Sequence, residues 1–259
     1  MANLQDKVIV VTGGARGQGR EEAEQLALAG AHVIAADVIE PDEDFAVDSI
    51  EFQHLDVTSP DDWNKMAERI ASDHGSVFGL VNNAGIVGSR GRAGRLEDVT
   101  LENWNDLLRV NTTGPFLGIQ TLSRLMTNGG SIVNISSIAG AGAHFSAGYG
   151  VSKWALRGLS RIASMELGPR NIRVNSILPG YIHTPMQNNT PEHFINSHMS
   201  LIPLQRIGTP LDVAPVVTFL MSDDSSWITG VDIPVDGGAL GHAGLKVISD
   251  GMTLATGGA

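Results

Sequence analysis

The sequence predicts one α/β domain over residues 1–259, built on a parallel sheet of seven strands with helices on both faces. Short runs of Val, Ile and Leu alternate with longer amphipathic stretches along the chain. This alternation is typical of parallel sheets, whose buried strands are joined by right-handed crossover helices. Apolar residues make up 42% of the sequence and aromatic residues 5%, and 31 residues are glycine, as expected for an aliphatic core with many tight turns.

The elements follow one another in order. The first β-branched run ends in glycines and precedes a helical pattern that Gly30 closes. Ser59 and Pro60 are typical of a helix start. Strands are predicted within residues 7–14, 32–37, 50–57, 77–85, 130–137, 172–180 and 231–238. Helices are predicted at 19–29, 59–75, 101–127, 148–167 and 211–221.

Three segments depart from this rhythm. Residues 38–50 are acidic and interrupted by Pro41, so we expect a loop or a single turn. Residues 181–206 are polar and rich in proline, which favours a lid over the site. The tail at 239–259 is partly apolar and would fray alone, so we expect it to pack against a neighbouring subunit.

Composition limits the classes of partner. The net charge is −11, which argues against nucleic acid and anionic membranes. The sequence has no cysteine and no basic leader before an apolar run, which suits a cytoplasmic protein. No apolar run approaches the ~18 residues of a membrane span. Histidine spacing matches no catalytic metal motif, so we expect no metal.

The segment TGGARGQG, from Thr12 to Gly19, lies where the first strand meets the first helix. Gly13, Gly17 and Gly19 allow a sharp turn and a close approach to a bound group, and the helix N-terminus offers free N–H groups to a pyrophosphate. The position after the first buried strand therefore predicts a Rossmann-type, doubly wound fold that binds a dinucleotide.

Asp37 ends the second strand and predicts the choice of cofactor. A carboxylate there can accept hydrogen bonds from the adenosine ribose and repels a 2′-phosphate, so NAD is favoured over NADP. The acidic residues that follow strengthen this repulsion. Arg16, in the glycine turn, acts in the opposite direction because its guanidinium could pair with a phosphate.

The motifs together resemble one family. TGGARGQG is followed by NNAG at 82–85, NTTG at 111–114, NISS at 134–137, YGVSK at 149–153 and PG at 179–180. In this order they resemble the short-chain dehydrogenase/reductase family over residues 5–238. Within that family the chain is most similar to bacterial 3α,20β-hydroxysteroid dehydrogenases, a similarity that implies an NAD-linked homotetramer acting on ring-bearing secondary alcohols and ketones.

The resemblance also implies roles for single residues. The catalytic four would be Asn111, Ser137, Tyr149 and Lys153, with Asn111 holding a water against Lys153. The cofactor would contact Gly13, Arg16, Gly17, Gln18, Gly19, Asp37, Asp56, Val57, Asn83, Ala84, Gly85, Tyr149, Lys153, Pro179, Gly180, Ile182 and Thr184. Two departures concern Gln18, where the family usually has Ile or Leu, and the loop after Ser137, which is shorter than is commonest.

Tyr149 and Lys153 are four residues apart and therefore share one face of a helix. A free phenol has a pKa near 10, and a neighbouring ammonium, aided by a positive nicotinamide ring, should lower it. Tyr149 would then exchange a proton with the substrate oxygen while the cofactor exchanges hydride. Ser137 would stabilise charge on that oxygen. Candidate substrate contacts are His144, Phe145, Tyr181 and Met186.

Two other functions stay open. A 3-oxoacyl thioester reductase would prefer NADPH and need a basic approach to the pocket, which Asp37 and the acidic loop disfavour. A dinucleotide-binding sensor without turnover would usually lack Tyr149 or Lys153, and both are present.

Overall fold

The computed structural model describes residues 3–89, 91–184 and 191–255 and confirms the predicted fold class. The strands form one seven-stranded sheet in the order β3-β2-β1-β4-β5-β6-β7, and every neighbouring pair is parallel. The strands are β1 Val8–Thr12, β2 His32–Asp37, β3 Ile50–His54, β4 Gly79–Asn82, β5 Gly130–Ile135, β6 Ile172–Pro179 and β7 Asp232–Val235. The chain order reverses between β1 and β4.

The helices cover both faces of this sheet, as predicted. They are α1 Gly17–Leu28, α2 Pro60–Asp73, α3 Leu101–Leu108, α4 Gly114–Leu122, α5 Ala147–Leu167, α6 Glu192–Met199, α7 Pro210–Met221 and α8 Leu245–Ala255. Within the described residues, no helix is both long and apolar enough to cross a membrane.

Side chains point alternately to the two faces of the sheet and build an apolar core on each face. In β1, Ile9 and Val11 pack in the cluster that includes Leu26 of α1 and Val217 of α7. Val10, between them, joins the opposite cluster, which includes residues of α2, α4 and α5. Because successive side chains of a strand point to opposite faces, a continuous apolar run contributes side chains to both cores.

The predicted long helix at 101–127 is interrupted. A π-helical turn spans Arg109–Thr113, and after α4 one 3₁₀ turn ends the helical region at Leu125. Such turns insert an extra residue into the helix and are frequent at functional sites. The turn contains Asn111, one of the predicted catalytic residues.

The acidic segment 38–49 contains neither helix nor strand, as predicted. Arg20 of α1 fixes it by donating hydrogen bonds to the carbonyl oxygens of Glu43, at 2.9 Å, and Asp44, at 2.5 Å. The Arg20 guanidinium also lies 4.9 Å from the ring centroid of Phe45. A crossover helix is therefore replaced by a loop held on α1.

The lid segment and the tail each contain one helix that the sequence pattern did not predict, α6 and α8. No residue of α6 is buried. Four large apolar residues of α8, Leu245, Val247, Ile248 and Met252, are exposed. Met186, a predicted substrate contact, lies outside the described residues.

Candidate functional site

A cleft lies at the carboxyl ends of β1, β4, β5 and β6, at the point where the strand order reverses. Ligands of open α/β sheets bind at this position because the flanking loops diverge there. The cleft encloses about 560 Å³, within the usual range of about 300–1,000 Å³ for small-molecule sites. Every predicted cofactor residue lines it, and so does Ser137. The sequence prediction missed other lining residues, among them Leu55, Thr58, Ile86, Arg109, Val110 and Ile135.

The glycine turn leaves no room for side chains on the cleft floor. Gly13 has φ +66°, and a Cβ there would lie 2.9 Å from the Cα of Ala84. A Cβ on Gly19 would lie 2.2 Å from the carbonyl oxygen of Gly13. The Thr12 hydroxyl accepts hydrogen bonds from the backbone N–H groups of Asn83 and Ala84, both at 3.1 Å. The turn and the loop after β4 therefore form one rigid surface that fits a closely bound pyrophosphate.

Asp37 lies at the carboxyl end of β2, beside the glycine turn. Its Oδ2 accepts a hydrogen bond from the N–H of Ala15 at 3.2 Å, and its Oδ1 accepts one from Val38 at 2.8 Å. These bonds fix the carboxylate at the cleft wall. Arg16 also lines the cleft, but its side chain is exposed.

Gln18 connects the cleft to a buried acid in α1. Its Nε2 donates a hydrogen bond to Glu22 Oε1 at 2.9 Å and lies 3.5 Å from Asn83 Oδ1. Glu22 is fully buried, and its Oε2 has no hydrogen-bond partner among the described residues. Burial raises the pKa of Glu22 to about 8, against a smaller opposing effect of the Gln18 bond. The polar side chain at position 18 therefore provides a hydrogen bond to this buried carboxyl group.

Tyr149 and Lys153 lie on one face of α5, with the Lys153 Nζ 5.8 Å from the centroid of the Tyr149 ring. Burial raises the pKa of the Tyr149 phenol, while a hydrogen bond with Ser137 acts in the opposite direction. Among the protein's own groups desolvation prevails. The prediction that the Lys153 ammonium lowers the Tyr149 pKa is not confirmed, because burial is the larger effect and Lys153 is not among the causes of the shift.

Lys153 is buried against the end of β5. Its Nζ donates a hydrogen bond to the carbonyl oxygen of Ile135 at 2.8 Å, and burial lowers its pKa to about 8. A Cβ on Gly85 would lie 3.4 Å from this nitrogen and 3.2 Å from Asn111 Oδ1. Glycine at position 85 therefore allows the loop after β4 to lie close to both polar groups.

Asn111 is fully buried in the π-helical turn. Its side-chain amide donates to the Ile86 carbonyl at 2.9 Å and to the Ser152 hydroxyl at 3.0 Å, and its Oδ1 accepts from the Ile86 N–H at 2.9 Å. These bonds join the loop after β4 to α5. Unlike the other predicted catalytic residues, Asn111 does not line the cleft.

A series of aromatic contacts leads from Tyr149 to α6. The ring of His144 lies 5.5 Å from that of Tyr149 and 4.1 Å from that of Phe145. Phe145 meets Phe194 of α6 edge to face, with centroids 5.8 Å apart. Burial lowers the pKa of His144, and a hydrogen bond to the Ser146 backbone opposes this. We call the rings of His144, Phe145, Tyr181, Phe194 and His198 the aromatic wall.

The lid side of the aromatic wall contains two residues that sequence reasoning did not select, Phe194 and His198. Their rings lie 4.4 Å apart, and Tyr181 lies 4.7 Å from His198. The two residues are four positions apart on α6 and therefore lie on the same face of this helix. This spacing is visible in the sequence and could have indicated both residues. The Tyr181 hydroxyl is inaccessible to solvent and has no hydrogen-bond partner among the described residues.

Several known proteins are similar to this chain in sequence or in fold. A family model described as enoyl-(acyl carrier protein) reductase matches residues 13–239. The 3-alpha-(or 20-beta)-hydroxysteroid dehydrogenase of Mycobacterium bovis is 41% identical over 90% of this chain and 89% of its own. The trans-4-hydroxycyclohexanecarboxylate dehydrogenase of Sinomonas cyclohexanicum is 36% identical over 90% and 92%. A solved short-chain type dehydrogenase/reductase from Mycobacterium ulcerans has a TM-score of 0.85 at 33% identity, covering 92% of this chain and 91% of that one.

Proposed function

The chain belongs to the short-chain dehydrogenase/reductase family of oxidoreductases that act on secondary alcohols with a nicotinamide dinucleotide, and we propose that it is an NAD-dependent dehydrogenase for an alicyclic alcohol or ketone. The observation that carries the proposal is that Tyr149 and the buried Lys153 both line the cleft, with Ser137 hydrogen-bonded to the phenol. A dinucleotide-binding sensor would not need this arrangement.

Tyr149 is proposed as the group that exchanges a proton with the substrate oxygen. In alcohol oxidation its phenolate takes the hydroxyl proton, and in ketone reduction its phenol returns one. Ser137 hydrogen-bonds the same oxygen and stabilises the charge that develops there. Lys153 holds positive charge near the phenol. A bound nicotinamide ring would accept or supply the hydride.

The preference for NAD rests on Asp37. Its carboxylate is held by the N–H groups of Ala15 and Val38 at the place where a Rossmann-type fold receives the adenosine ribose. A 2′-phosphate would meet a fixed negative charge there. Arg16 is exposed and offers only a mobile positive charge in compensation. We therefore propose NAD as the cofactor.

The aromatic wall supports a ring-bearing substrate. It presents apolar ring faces beside Tyr149, and such faces contact a saturated ring over a large area without requiring charge. Two relatives are named for ring-bearing alcohols, the hydroxysteroid and the hydroxycyclohexanecarboxylate dehydrogenases.

Homotetramer assembly is part of the proposal. Large apolar side chains are exposed on α4 and α5 (Phe116, Val151, Trp154, Ile162 and Met165) and on the tail helix α8. Exposed apolar patches of this kind mark interfaces with other protein chains. Light scattering coupled to size-exclusion chromatography tests this directly, because a monomer at micromolar concentration would refute it.

A substrate panel tests the function. Purified protein is assayed with NAD⁺ and NADP⁺ against a cyclohexanol, a hydroxysteroid and an acyclic secondary alcohol, following nicotinamide absorbance. We expect turnover with NAD⁺ and the largest kcat/KM for a ring substrate. Reduction of a 3-oxoacyl thioester with NADPH as the best reaction would instead identify a thioester reductase. Tight NAD binding without turnover on any substrate would favour the sensor.

A further inference from the structure

A second cluster of polar side chains lies at the opposite end of the sheet from the cleft. His32 is the first residue of β2, Glu51 lies in the first half of β3, and His74 follows the end of α2. The amino ends of parallel strands point away from the ligand cleft. The cluster therefore serves neither the proposed catalytic groups nor the dinucleotide.

The three side chains are arranged as metal ligands. Glu51 Oε1 lies 3.6 Å from His32 Nε2 and 3.4 Å from His74 Nε2, and one ligand atom of each residue lies within 4.8 Å of the others. Zn²⁺ binds imidazole nitrogen and carboxylate oxygen at about 2.0–2.2 Å, so a tetrahedral site separates its ligand atoms by ~3.3 Å. The observed separations need only small side-chain adjustments to reach this value.

One imidazole nitrogen of the cluster makes no hydrogen bond with the described residues. His74 is within 3.4 Å of Glu51 Oε1, but His32 Nε2, which is inaccessible to solvent, has no hydrogen-bond partner among the described residues. The two imidazole rings lie 4.7 Å apart. A buried polar atom without a partner is costly, and a shared cation would satisfy this nitrogen together with the carboxylate.

Arg69 contacts the same carboxylate without occupying the ligand position. It donates a hydrogen bond to Glu51 Oε2 at 2.8 Å and lies 3.4 Å from Asp73, so its charge is shared between two acids. This leaves Oε1 directed at the two histidines. Groups that hydrogen-bond the second oxygen of a ligating carboxylate usually fix its orientation for the metal.

We infer that His32, Glu51 and His74 form a binding site for one divalent transition-metal ion of the kind that prefers imidazole, such as Zn²⁺. Two imidazoles and one carboxylate suit such an ion better than Mg²⁺ or Ca²⁺, which prefer oxygen ligands. Water supplies the fourth ligand in this proposal, since the three residues are only half-buried. The ion joins β2, β3 and the end of α2 and so stabilises this edge of the sheet.

Calorimetry on metal-stripped, untagged protein tests the inference. Titration with Zn²⁺ is expected to show one equivalent bound, and Zn²⁺ at about 100 times its Kd should raise Tm by roughly 5–10 °C. Co²⁺ in its place should give the intense visible bands of a four-coordinate ion. Mg²⁺ should produce none of these changes.

Variants identify the ligands. His32→Gln and His74→Gln should each weaken Zn²⁺ binding at least tenfold, whereas His54→Gln, on the same strand as Glu51 but outside the cluster, should bind like the unaltered protein. Absence of Zn²⁺ binding by the unaltered chain, or undiminished binding by the His32→Gln, His74→Gln double variant, would overturn the inference. Either result would leave a hydrogen-bonded cluster without metal, and the dehydrogenase assay is independent of both.

Discussion

Lys153 donates a hydrogen bond from its buried ammonium group to the carbonyl oxygen of Ile135, the last residue of β5, at 2.8 Å. The contact fixes a positive charge beside Tyr149, and burial brings the lysine pKa down to about 8. Burial of the ammonium group costs folding free energy, and the site thereby holds a positive charge at a fixed position.

Lys153→Met should separate these two effects. Between about pH 8 and about pH 10.5 the unfolded chain binds a proton that the folded chain does not, so the stability of the unaltered protein should rise with pH in that window. The methionine variant should lose this dependence and, at pH 8, should be more stable by about 1–3 kcal/mol while losing most dehydrogenase activity. Urea unfolding at several pH values provides the measurement.

Tyr149→Phe should abolish proton exchange with the substrate and leave the cleft intact. We expect kcat to fall by roughly 10²–10⁴ or more, while NADH affinity changes by less than about tenfold. The chain has only two tyrosines, so Tyr181→Phe is a matched control. The control should retain most of its kcat, and substantial turnover by the Tyr149 variant would contradict the assigned role.

Asp37→Asn should relax the choice of cofactor. Asparagine keeps an acceptor for the N–H of Ala15 and removes the charge that faces a 2′-phosphate. The ratio of kcat/KM for NADP⁺ to that for NAD⁺ should rise at least about tenfold. Arg16→Ala should change the ratio in the other direction. If Asp37→Asn leaves the ratio unchanged, selectivity lies elsewhere in the cleft.

Glu22→Gln should stabilise the protein at alkaline pH. The folded chain retains the Glu22 proton up to about pH 8, whereas the unfolded chain loses it near 4.5, so stability should fall as pH rises through this range. The stability advantage of the variant should grow by roughly 2–3 kcal/mol from pH 5.5 to pH 8. Glu24→Gln, which alters a partly exposed ion pair with Arg20 on the same helix, should show no such trend. Parallel pH profiles for Glu22→Gln and the unaltered protein would disprove the assignment.

Phe194→Ala should weaken the binding of the substrate and not that of the dinucleotide. The edge-to-face contact with Phe145 is the closest ring contact between α6 and the loop after β5. Its loss should raise KM for a ring substrate by roughly tenfold and leave the KM for NAD⁺ nearly unchanged. A parallel rise in both KM values would show that the lid does not distinguish the two ligands.

The sequence predicted those features that depend on short segments. The glycine turn, the position of Asp37 and the spacing of Tyr149 and Lys153 are local patterns, and each is fixed by the turn or helix that contains it. Pairings between distant segments could not be read in this way. Phe145 and Phe194 meet only because α6 lies against the loop after β5, and the register of β2 and β3 brings His32 close to Glu51.

Buried polar groups were the second kind of feature that the sequence pattern could not show. Glu22 lies on the face of α1 that packs in the core, beside Ala23 and Leu26, where periodicity alone would expect an apolar residue. The π-helical turn around Asn111 is a related case, because its geometry depends on bonds to Ile86 and Ser152 from other elements. Tertiary hydrogen bonds fix Asn111, whereas the hydrogen bond to Glu22 comes from Gln18 on the same helix.

The pairing of β1 with β4, which are distant in sequence, has a kinetic consequence. Ile9 pairs with Gly79, and the residues that line the cleft range from Gly13 to Thr184. Most of the chain must therefore be synthesised before the dinucleotide-binding surface is complete. Contacts between such distant segments make folding slow. If the crevice assembles after the rate-limiting step, a bound dinucleotide will lengthen the lifetime of the folded enzyme and leave its rate of formation unchanged.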